Sequence, residues 1–206
     1  MADTERPQIY LITPPSFDLE TFPAQLDRVL AAHEVACIRL ALATKDEDAQ
    51  GRAADACREV AHRHDVALVI ENHIKLVDRH GLDGVHLTDG ARTVRYARKE
   101  LGQDAIVGAW CGASRHDGMN AGEAGADYVC FGPVGETALG AGELAPRDLF
   151  AWWSEVIEVP VVAEGNLTED LIREFTPVTD FFALGEEIWR EDDPAAALGR
   201  MIAAMG

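Results

Sequence analysis

"GADYVCFGPVGET", residues 125–137, is a short apolar run that stops at Gly132-Pro133 and continues into a polar, glycine-rich segment. An apolar run of this length, rich in branched and aromatic residues, predicts a buried β-strand that ends where the glycine and proline turn the chain. Comparable runs recur along the whole sequence. Together they predict eight strands, at residues 8–13, 35–42, 66–71, 83–87, 105–111, 126–131, 159–164 and 180–184.

The segments between these runs have the spacing of amphipathic helices. They lie at residues 19–32, 47–64, 74–80, 93–101, 118–125, 147–157 and 169–175, with a last one at 195–204. Strands that are apolar throughout are buried on both faces, as in a parallel sheet covered by helices. Eight alternations predict a single (β/α)8 TIM barrel. The alternative is an open doubly wound sheet, but the expected glycine-rich turn after strand one is replaced by Thr13-Pro14-Pro15-Ser16.

Length, charge and cysteine content limit the number of domains, the kinds of partner and the location that we expect for the chain. At 206 residues the chain is predicted to form one domain over residues 1–206. With 36 acidic and 18 basic residues its formal charge is −18, which argues against nucleic acid and anionic membrane surfaces as partners. No apolar run approaches the roughly 20 residues of a membrane span. Four cysteines without CxxC spacing predict buried thiols and a cytoplasmic location.

A (β/α)8 barrel carries its active site on the loops that follow the strands, so polar residues directly after each apolar run are candidates. Glu71, Glu164 and Glu186 each follow a strand, and we expect the three carboxylates to converge on one barrel mouth. Such a cluster raises the pKa of at least one member and supplies a general acid or base, or it binds a cation. Both interpretations remain open on the residues alone.

Four stretches resemble the thiamine phosphate synthase and TenI family, in the family's order and spacing. They are "IYLIT" (9–13), "GLDGVHLTDG" (81–90), "GADYVCFGPVGET" (125–137) and "VPVVAEGN" (159–166). The resemblance implies a (β/α)8 barrel of thiamine biosynthesis and a possible homodimer. It also implies a small-molecule partner of thiazole or pyrimidine type. Synthase members of the family join hydroxymethylpyrimidine diphosphate to thiazole phosphate with Mg²⁺ and release pyrophosphate.

The resemblance also implies roles for residues near the first four strands. The family motif that holds pyrimidine and diphosphate falls on residues 39–43, where its arginine and lysine are missing and Arg39 or Lys45 are the substitutes. The family's Asn-Asp pair becomes Glu71-Asn72. Glu71 and a displaced Asp89 are compatible with a Mg²⁺ site, because that ion prefers oxygen ligands. Of the fourth-strand motif, His86 matches.

Residues after the later strands depart from the family where it binds phosphate. Backbone N–H groups after strands seven and eight cradle thiazole phosphate in the family, and here those positions are Gly165-Asn166 and Gly185-Glu186. The carboxylates of Glu164 and Glu186 predict weaker phosphate binding, because like charges repel. The remaining substrate-binding candidates are Cys111 after strand five and the pair Glu136-Thr137 after strand six. Pro133 replaces the histidine of the tautomerase branch, which excludes that reaction in its usual form.

Three functions are consistent with these residues. The first is a thiamine phosphate synthase in which several catalytic and phosphate-binding residues are replaced. The second is a non-catalytic or repurposed barrel that binds a cationic or unphosphorylated small molecule through an acidic mouth. The third is an enzyme with another substrate that uses its glutamates for proton transfer. The catalytic candidates as a whole are Glu71, Asn72, His86, Glu164 and Glu186.

Overall fold

Eight parallel strands close into a barrel in the computed structural model, which describes residues 6–136 and 143–206. Each strand pairs with its neighbours in sequence, and β1 pairs with β8 to complete the ring. The predicted (β/α)8 barrel is therefore confirmed. The strands are β1 (Gln8–Ile12), β2 (Cys37–Leu40), β3 (Ala67–Glu71), β4 (Gly84–Leu87), β5 (Ile106–Trp110), β6 (Tyr128–Phe131), β7 (Val161–Glu164) and β8 (Phe181–Leu184).

Helices lie outside the barrel. They are α1 (Phe22–Ala32), α2 (Glu47–Arg63), α3 (Ile74–His80), α4 (Val94–Leu101), α5 (Arg115–Ala124), α6 (Arg147–Val156), α7 (Glu169–Phe175), α8 (Glu186–Trp189) and α9 (Pro194–Ala203). Of these, α1 to α7 connect successive strands, and α8 and α9 follow the last strand. A 3₁₀ turn, Thr176–Val178, follows α7. Within the described residues, no helix is long and apolar enough to cross a membrane.

Several helices begin at a side-chain cap that the sequence supplies. Asp46 accepts hydrogen bonds from two backbone N–H groups at the start of α2, and Thr168 and Asp193 cap α7 and α9. Ser114 caps α5, so this helix begins three residues before the predicted start at 118. The short helix α8 was not predicted, because four residues show no helical periodicity.

Alternation along the strands decides which side chains enter the barrel. Residues two apart share a face, so Cys37 and Arg39 of β2 both point inward while Ile38 and Leu40 pack beneath the helices. The lower interior is mostly apolar and consists of Tyr10, Cys37, Val69, Tyr128, Cys130, Val162 and Ala183. Above this layer, at the carboxyl ends of the strands, charged side chains replace apolar ones.

Candidate functional site at the barrel mouth

Arg39 is the central residue of the barrel mouth. Its side chain is only 5% exposed, and its Nη2 donates to Glu164 Oε1 at 2.5 Å. Its Nη1 donates to His86 Nε2 at 2.6 Å. The guanidinium also lies 5.8 Å from the ring centre of Tyr10. Burial opposes the charge of Arg39, but Glu164 holds its pKa well above the ordinary value, so Arg39 is a permanent cation inside the barrel.

The hydrogen bonds of His86 fix its tautomer. Since a guanidinium can only donate, Nε2 of His86 must accept, and the proton lies on Nδ1. Nδ1 is 2.9 Å from Oη of Tyr128, which is in turn 2.7 Å from Oη of Tyr10. Burial and the nearby Arg39 lower the pKa of His86 well below its ordinary value. His86 is therefore a neutral side chain that orients Arg39.

Two glutamates face Arg39 and differ in how they are bound. Both carboxylate oxygens of Glu164 are engaged, because Oε2 accepts from the Cys130 thiol at 2.9 Å while Oε1 accepts from Arg39. Oε2 of Glu71 lies 3.7 Å from Nε of Arg39, too far for a hydrogen bond. Burial raises the pKa of Glu71 while Arg39 lowers it. Glu71 is thus the less constrained carboxylate, suited to proton transfer or to contact with a ligand.

A cavity of about 250 Å³ opens at this mouth and is lined by Arg39, Glu71, His86, Thr88, Trp110 and Glu164. Nε of Arg39 is buried and has no hydrogen-bond partner among the described residues. A buried N–H donor without an acceptor is costly, so it points to an acceptor on a ligand. The charged side chains here are one cation and two carboxylates, which leaves one net negative charge when all are ionised.

A second cavity of about 450 Å³ adjoins the first. The two share Thr88 and Trp110, and the second is further lined by Asp89, Gly90, Ala91, Arg92, Cys111, Gly112 and Asp117. The side-chain amide of Asn72 makes two hydrogen bonds to Thr88. Nδ2 of Asn72 donates to the Thr88 hydroxyl at 2.8 Å, and Oδ1 of Asn72 accepts from the backbone N–H of Thr88 at 3.0 Å. Asn72 therefore positions Thr88 between the two cavities.

The loops after β7 and β8 are joined by a carboxylate. Oε2 of Glu187 accepts from the backbone N–H of Gly185 at 2.8 Å, and Oε1 accepts from the backbone N–H of Leu167 at 3.1 Å. Gly165 has φ of +99°, and a Cβ there would lie 2.7 Å from Cα of Pro133. Only glycine fits this close approach of the β7 loop to the β6 loop.

The structure brings together four of the predicted site residues: Arg39, Glu71, His86 and Glu164 line one cavity. Glu186 lies apart from them, because it begins α8 and pairs with Arg190 at 2.6 Å. Two of the three glutamates expected at one mouth thus face each other there, and the third does not.

The other predicted residues are placed more peripherally. Cys111 is buried beside the second cavity, Lys45 and Glu136 are exposed, and Asn166 donates to the backbone oxygen of Glu136. Gly185 is buried as the cap of α8. Thr137 lies outside the described residues.

Sequence reasoning overlooked Trp110, Tyr128 and Glu187. The alternation of side chains along β5 indicates Trp110, because Gly108 and Trp110 point into the barrel and Cys111 does not. Alternation on β6 likewise places Tyr128 inward, two residues before Cys130. Glu187 had a signal, because it stands among the polar residues after strand eight, but the sequence does not show that it, rather than Glu186, faces the loop after β7.

The predicted Mg²⁺ ligands line two adjoining cavities rather than one. Glu71 lines the first cavity beside the buried cation Arg39, whereas Asp89 lines the second and accepts a hydrogen bond from the Thr93 hydroxyl. No group of three or more His, Cys, Asp or Glu side chains within residues 6–136 and 143–206 has the geometry to hold a metal. A larger cavity of about 880 Å³ lies at the opposite end of the barrel, away from the loops that carry chemistry in this fold.

Comparison with known proteins finds a matching family model and similar proteins over most of the chain. A family model described as thiamine monophosphate synthase matches residues 9–179. A protein of Erythrobacter litoralis named thiamine-phosphate synthase is 39% identical over 214 residues, which cover 99% of this chain and 100% of that protein. A Rhodospirillum centenum protein of the same name is 39% identical over 194 residues, covering 93% and 94%. The solved structure of thiamine phosphate pyrophosphorylase from Pyrococcus furiosus superposes with a TM-score of 0.82 at 19% identity, over 96% of this chain and 95% of that one, and supports the fold.

Proposed function

The chain belongs to the thiamine monophosphate synthase family, and from that premise we propose that it joins hydroxymethylpyrimidine diphosphate to a thiazole with release of pyrophosphate. The whole-length similarity to proteins named thiamine-phosphate synthase is the observation that carries the proposal. The cavity at the barrel mouth supplies the chemistry, because it lies where (β/α)8 enzymes place their active sites.

The charge of the mouth suits the cationic stages of this reaction. When the bond between the pyrimidine methylene carbon and the diphosphate oxygen breaks, pyrophosphate leaves with the electron pair and the pyrimidine carries positive charge. The carboxylates of Glu71 and Glu164 face the cavity and, with Arg39, leave it one net negative charge. A fixed negative field stabilises the developing cation more than the neutral ring from which it forms.

Hydrogen bonding and ring contacts orient the substrate in the same cavity. The free Nε–H of Arg39 can donate to a ring nitrogen of the pyrimidine, which would satisfy a donor that lacks an acceptor among the described residues. Trp110 lines both cavities and offers an aromatic surface against the pyrimidine and the thiazolium product. The cavity volume, about 250 Å³, is small for a drug-sized ligand and suits one heterocyclic ring.

Each side chain has a defined part in the proposed site. Glu164 is held by Arg39 and Cys130 and acts as fixed negative charge, while Glu71 contacts the ring. His86 keeps Arg39 in place, and Asn72 keeps Thr88 in place. No step is assigned to Mg²⁺, because Glu71 and Asp89 line different cavities and Arg39 lies beside Glu71.

The proposal is tested by mixing the purified protein with hydroxymethylpyrimidine diphosphate and thiazole, either as the free alcohol or as its phosphate. Oxidation to a fluorescent thiochrome detects the product. We expect product with the native chain and a large loss with Glu71→Gln, while Glu191→Gln serves as the control that removes an exposed charge elsewhere. Parallel reactions with Mg²⁺ and with EDTA test the predicted metal dependence. Absence of product with both thiazoles at micromolar enzyme and saturating Mg²⁺ rejects the proposal.

A second candidate is a binding protein for a cationic small molecule. The observation in its favour is the same net negative charge, since two carboxylates, Glu71 and Glu164, and one cation, Arg39, are the charged groups among the described residues that line the cavity. Thiamine is the natural probe, because its thiazolium ring is positively charged. A rise in melting temperature with thiamine, combined with absence of product in the assay above, favours this candidate over the synthase.

A further inference from the structure

A chain of hydrogen-bonded side chains runs from Arg39 at the mouth down into the barrel. His86, Gly108 and Tyr128 lie directly opposite one another on the neighbouring strands β4, β5 and β6. A Cβ on Gly108 would lie 2.0 Å from Cζ of the Tyr128 ring. Because Gly108 has no side chain, Tyr128 reaches across β5, and its Oη lies 2.9 Å from Nδ1 of His86. The glycine therefore brings together two rings that stand two strands apart.

Each hydrogen bond in this chain has a defined direction. Arg39 can only donate, so Nε2 of His86 accepts at 2.6 Å and the ring proton of His86 lies on Nδ1. Nδ1–H then donates to Oη of Tyr128, and the hydroxyl proton of Tyr128 is left to donate to Oη of Tyr10 at 2.7 Å. His86 and both tyrosines are buried, so bulk water does not compete for these bonds. The acceptor that Tyr128 provides therefore keeps the proton on Nδ1.

The tautomer of His86 decides whether Arg39 is held on both sides. Nη1 of Arg39 donates to His86 and Nη2 donates to Glu164, so the two bonds together fix the plane of the guanidinium. Nε of Arg39 is then left without a partner among the described residues at a cavity that Arg39 lines. In the other tautomer, an N–H on Nε2 of His86 would face Nη1–H of Arg39, and two donors form no hydrogen bond. Arg39 would keep only Glu164 and lose its fixed orientation.

We propose that Tyr128 is a positioning residue of this site: it fixes the tautomer of His86 and thereby the orientation in which Arg39 meets the pyrimidine. This inference rests on the proposed function, in which Nε–H of Arg39 donates to the pyrimidine ring. Tyr128 belongs to the interior layer below the mouth and is not among the described residues that line the cavity. Its effect on the substrate is therefore transmitted through His86.

The first test measures the tautomer by ¹⁵N NMR, which distinguishes protonated from unprotonated ring nitrogens and needs no substrate. The signals of His86 are those that disappear in His86→Gln. In the native protein we expect a proton on Nδ1 and none on Nε2, whereas Tyr128→Phe, which removes only the hydroxyl, should give a mixture of both tautomers. Tyr96→Phe is the matched control, because Tyr96 is exposed on α4, and it should leave the His86 signals unchanged. A protonated Nε2 in the native protein, or an unchanged tautomer in Tyr128→Phe, overturns the inference.

The second test asks whether the tautomer matters to the pyrimidine substrate. For Tyr128→Phe we expect kcat/KM for hydroxymethylpyrimidine diphosphate to fall by about 10- to 100-fold, because a displacement of about 1 Å in a positioning group has effects of this size. KM for the thiazole should stay as in the native protein. In a His86→Gln background the same change should have little effect, since the amide can present its oxygen to Arg39 without help from Tyr128. Equal losses in the two backgrounds mean that Tyr128 acts by packing alone, and they overturn the inference.

Failure of the proposed function and a folding defect are recognised separately. If the native protein forms no product in the thiochrome assay, the proposed function fails, and the tautomer measurement alone decides the inference. If Tyr128→Phe loses its native circular dichroism spectrum, the spectrum of the native protein decides it. A single His86 tautomer protonated at Nδ1 then supports the inference, and a mixture of tautomers overturns it.

Discussion

Replacing Arg39 with methionine tests whether the mouth is organised around one buried cation. The change removes the guanidinium but keeps an unbranched side chain that can fill most of its volume. It leaves Glu164, whose side chain is 17% exposed, without its 2.5 Å partner, and it removes the donor to His86 Nε2. Glu71, at 32% exposure, loses its nearest positive charge as well.

The expected cost follows from these contacts. Breaking a buried ion pair by removing one partner destabilises a protein by about 3–5 kcal/mol. Glu164 is partly solvated and keeps the Cys130 thiol as a donor. The expected loss of unfolding free energy is therefore at the lower end of this range, about 3 kcal/mol. For a chain of this size, that loss lowers the melting temperature by roughly 6–12 °C. Arg200→Met is the control, since it breaks an exposed pair with Glu191 and should cost below about 1 kcal/mol.

Urea unfolding followed by circular dichroism measures the loss. The deficit of Arg39→Met should be smaller at acidic than at neutral pH, because burial raises the pKa of Glu71 and removal of Arg39 takes away the charge that opposes this rise. Adding Glu164→Gln to Arg39→Met should recover at least half of the lost free energy, since the amide needs no cation. A loss for Arg39→Met as small as that for Arg200→Met, with no recovery in the double variant, refutes the reasoning.

Three more predictions concern single features. Burial raises the pKa of Glu71, so its contribution to stability is present below the ordinary carboxyl pKa and declines as pH rises through the raised value. Glu71→Gln should therefore gain stability relative to the native protein as pH rises above the ordinary carboxyl pKa of about 4, seen as a rising difference in urea midpoints. Gly84→Ala should unfold at a much lower temperature, because the new Cβ would lie 1.9 Å from the carbonyl oxygen of Ile106. Gly122→Ala is the control: this glycine lies within α5, where alanine is the better helix former, so the change should be neutral or stabilise the protein by up to about 1 kcal/mol. All four cysteines are buried, and burial raises the pKa of Cys37, Cys57 and Cys111 to about 12. The native protein should therefore react slowly with a disulfide reagent for thiols, whereas the same reagent should titrate four thiols in denaturant.

The barrel could be predicted because its signal repeats. Each of the eight strands is an apolar run that is buried on both faces, and each is followed by a segment with helical spacing, so a misplaced boundary changes nothing in the topology. The missed helix α8 lacks both properties. Its four residues form one turn, and their conformation depends on burial of Ile188 and on the Trp189 hydrogen bond to β1, which lies far away in sequence.

The site could be predicted only as a region. Position after a strand identified Glu71 and Glu164, and alternation along β2 would have placed Arg39 inside the barrel. What the sequence could not give is which groups pair. Arg39 is a predicted diphosphate ligand, yet Nη1 is bonded to His86 and Nη2 to Glu164, while Nε has no hydrogen-bond partner among the described residues.

The adjacent residues Glu186 and Glu187 show that the sequence can place a carboxylate near the β7 loop without showing which of two neighbours faces it. From the sequence, Glu186 was the carboxylate predicted to repel phosphate, because it stands directly after Gly185. Within one helical turn, successive side chains point about 100° apart, so only one of the two can face the β7 loop. The structure turns Glu186 toward Arg190 and Glu187 toward the N–H groups of Gly185 and Leu167. The carboxylate of Glu187 therefore ties the loop after β7 to the loop after β8, through a contact between residues 20 positions apart that the sequence alone does not indicate.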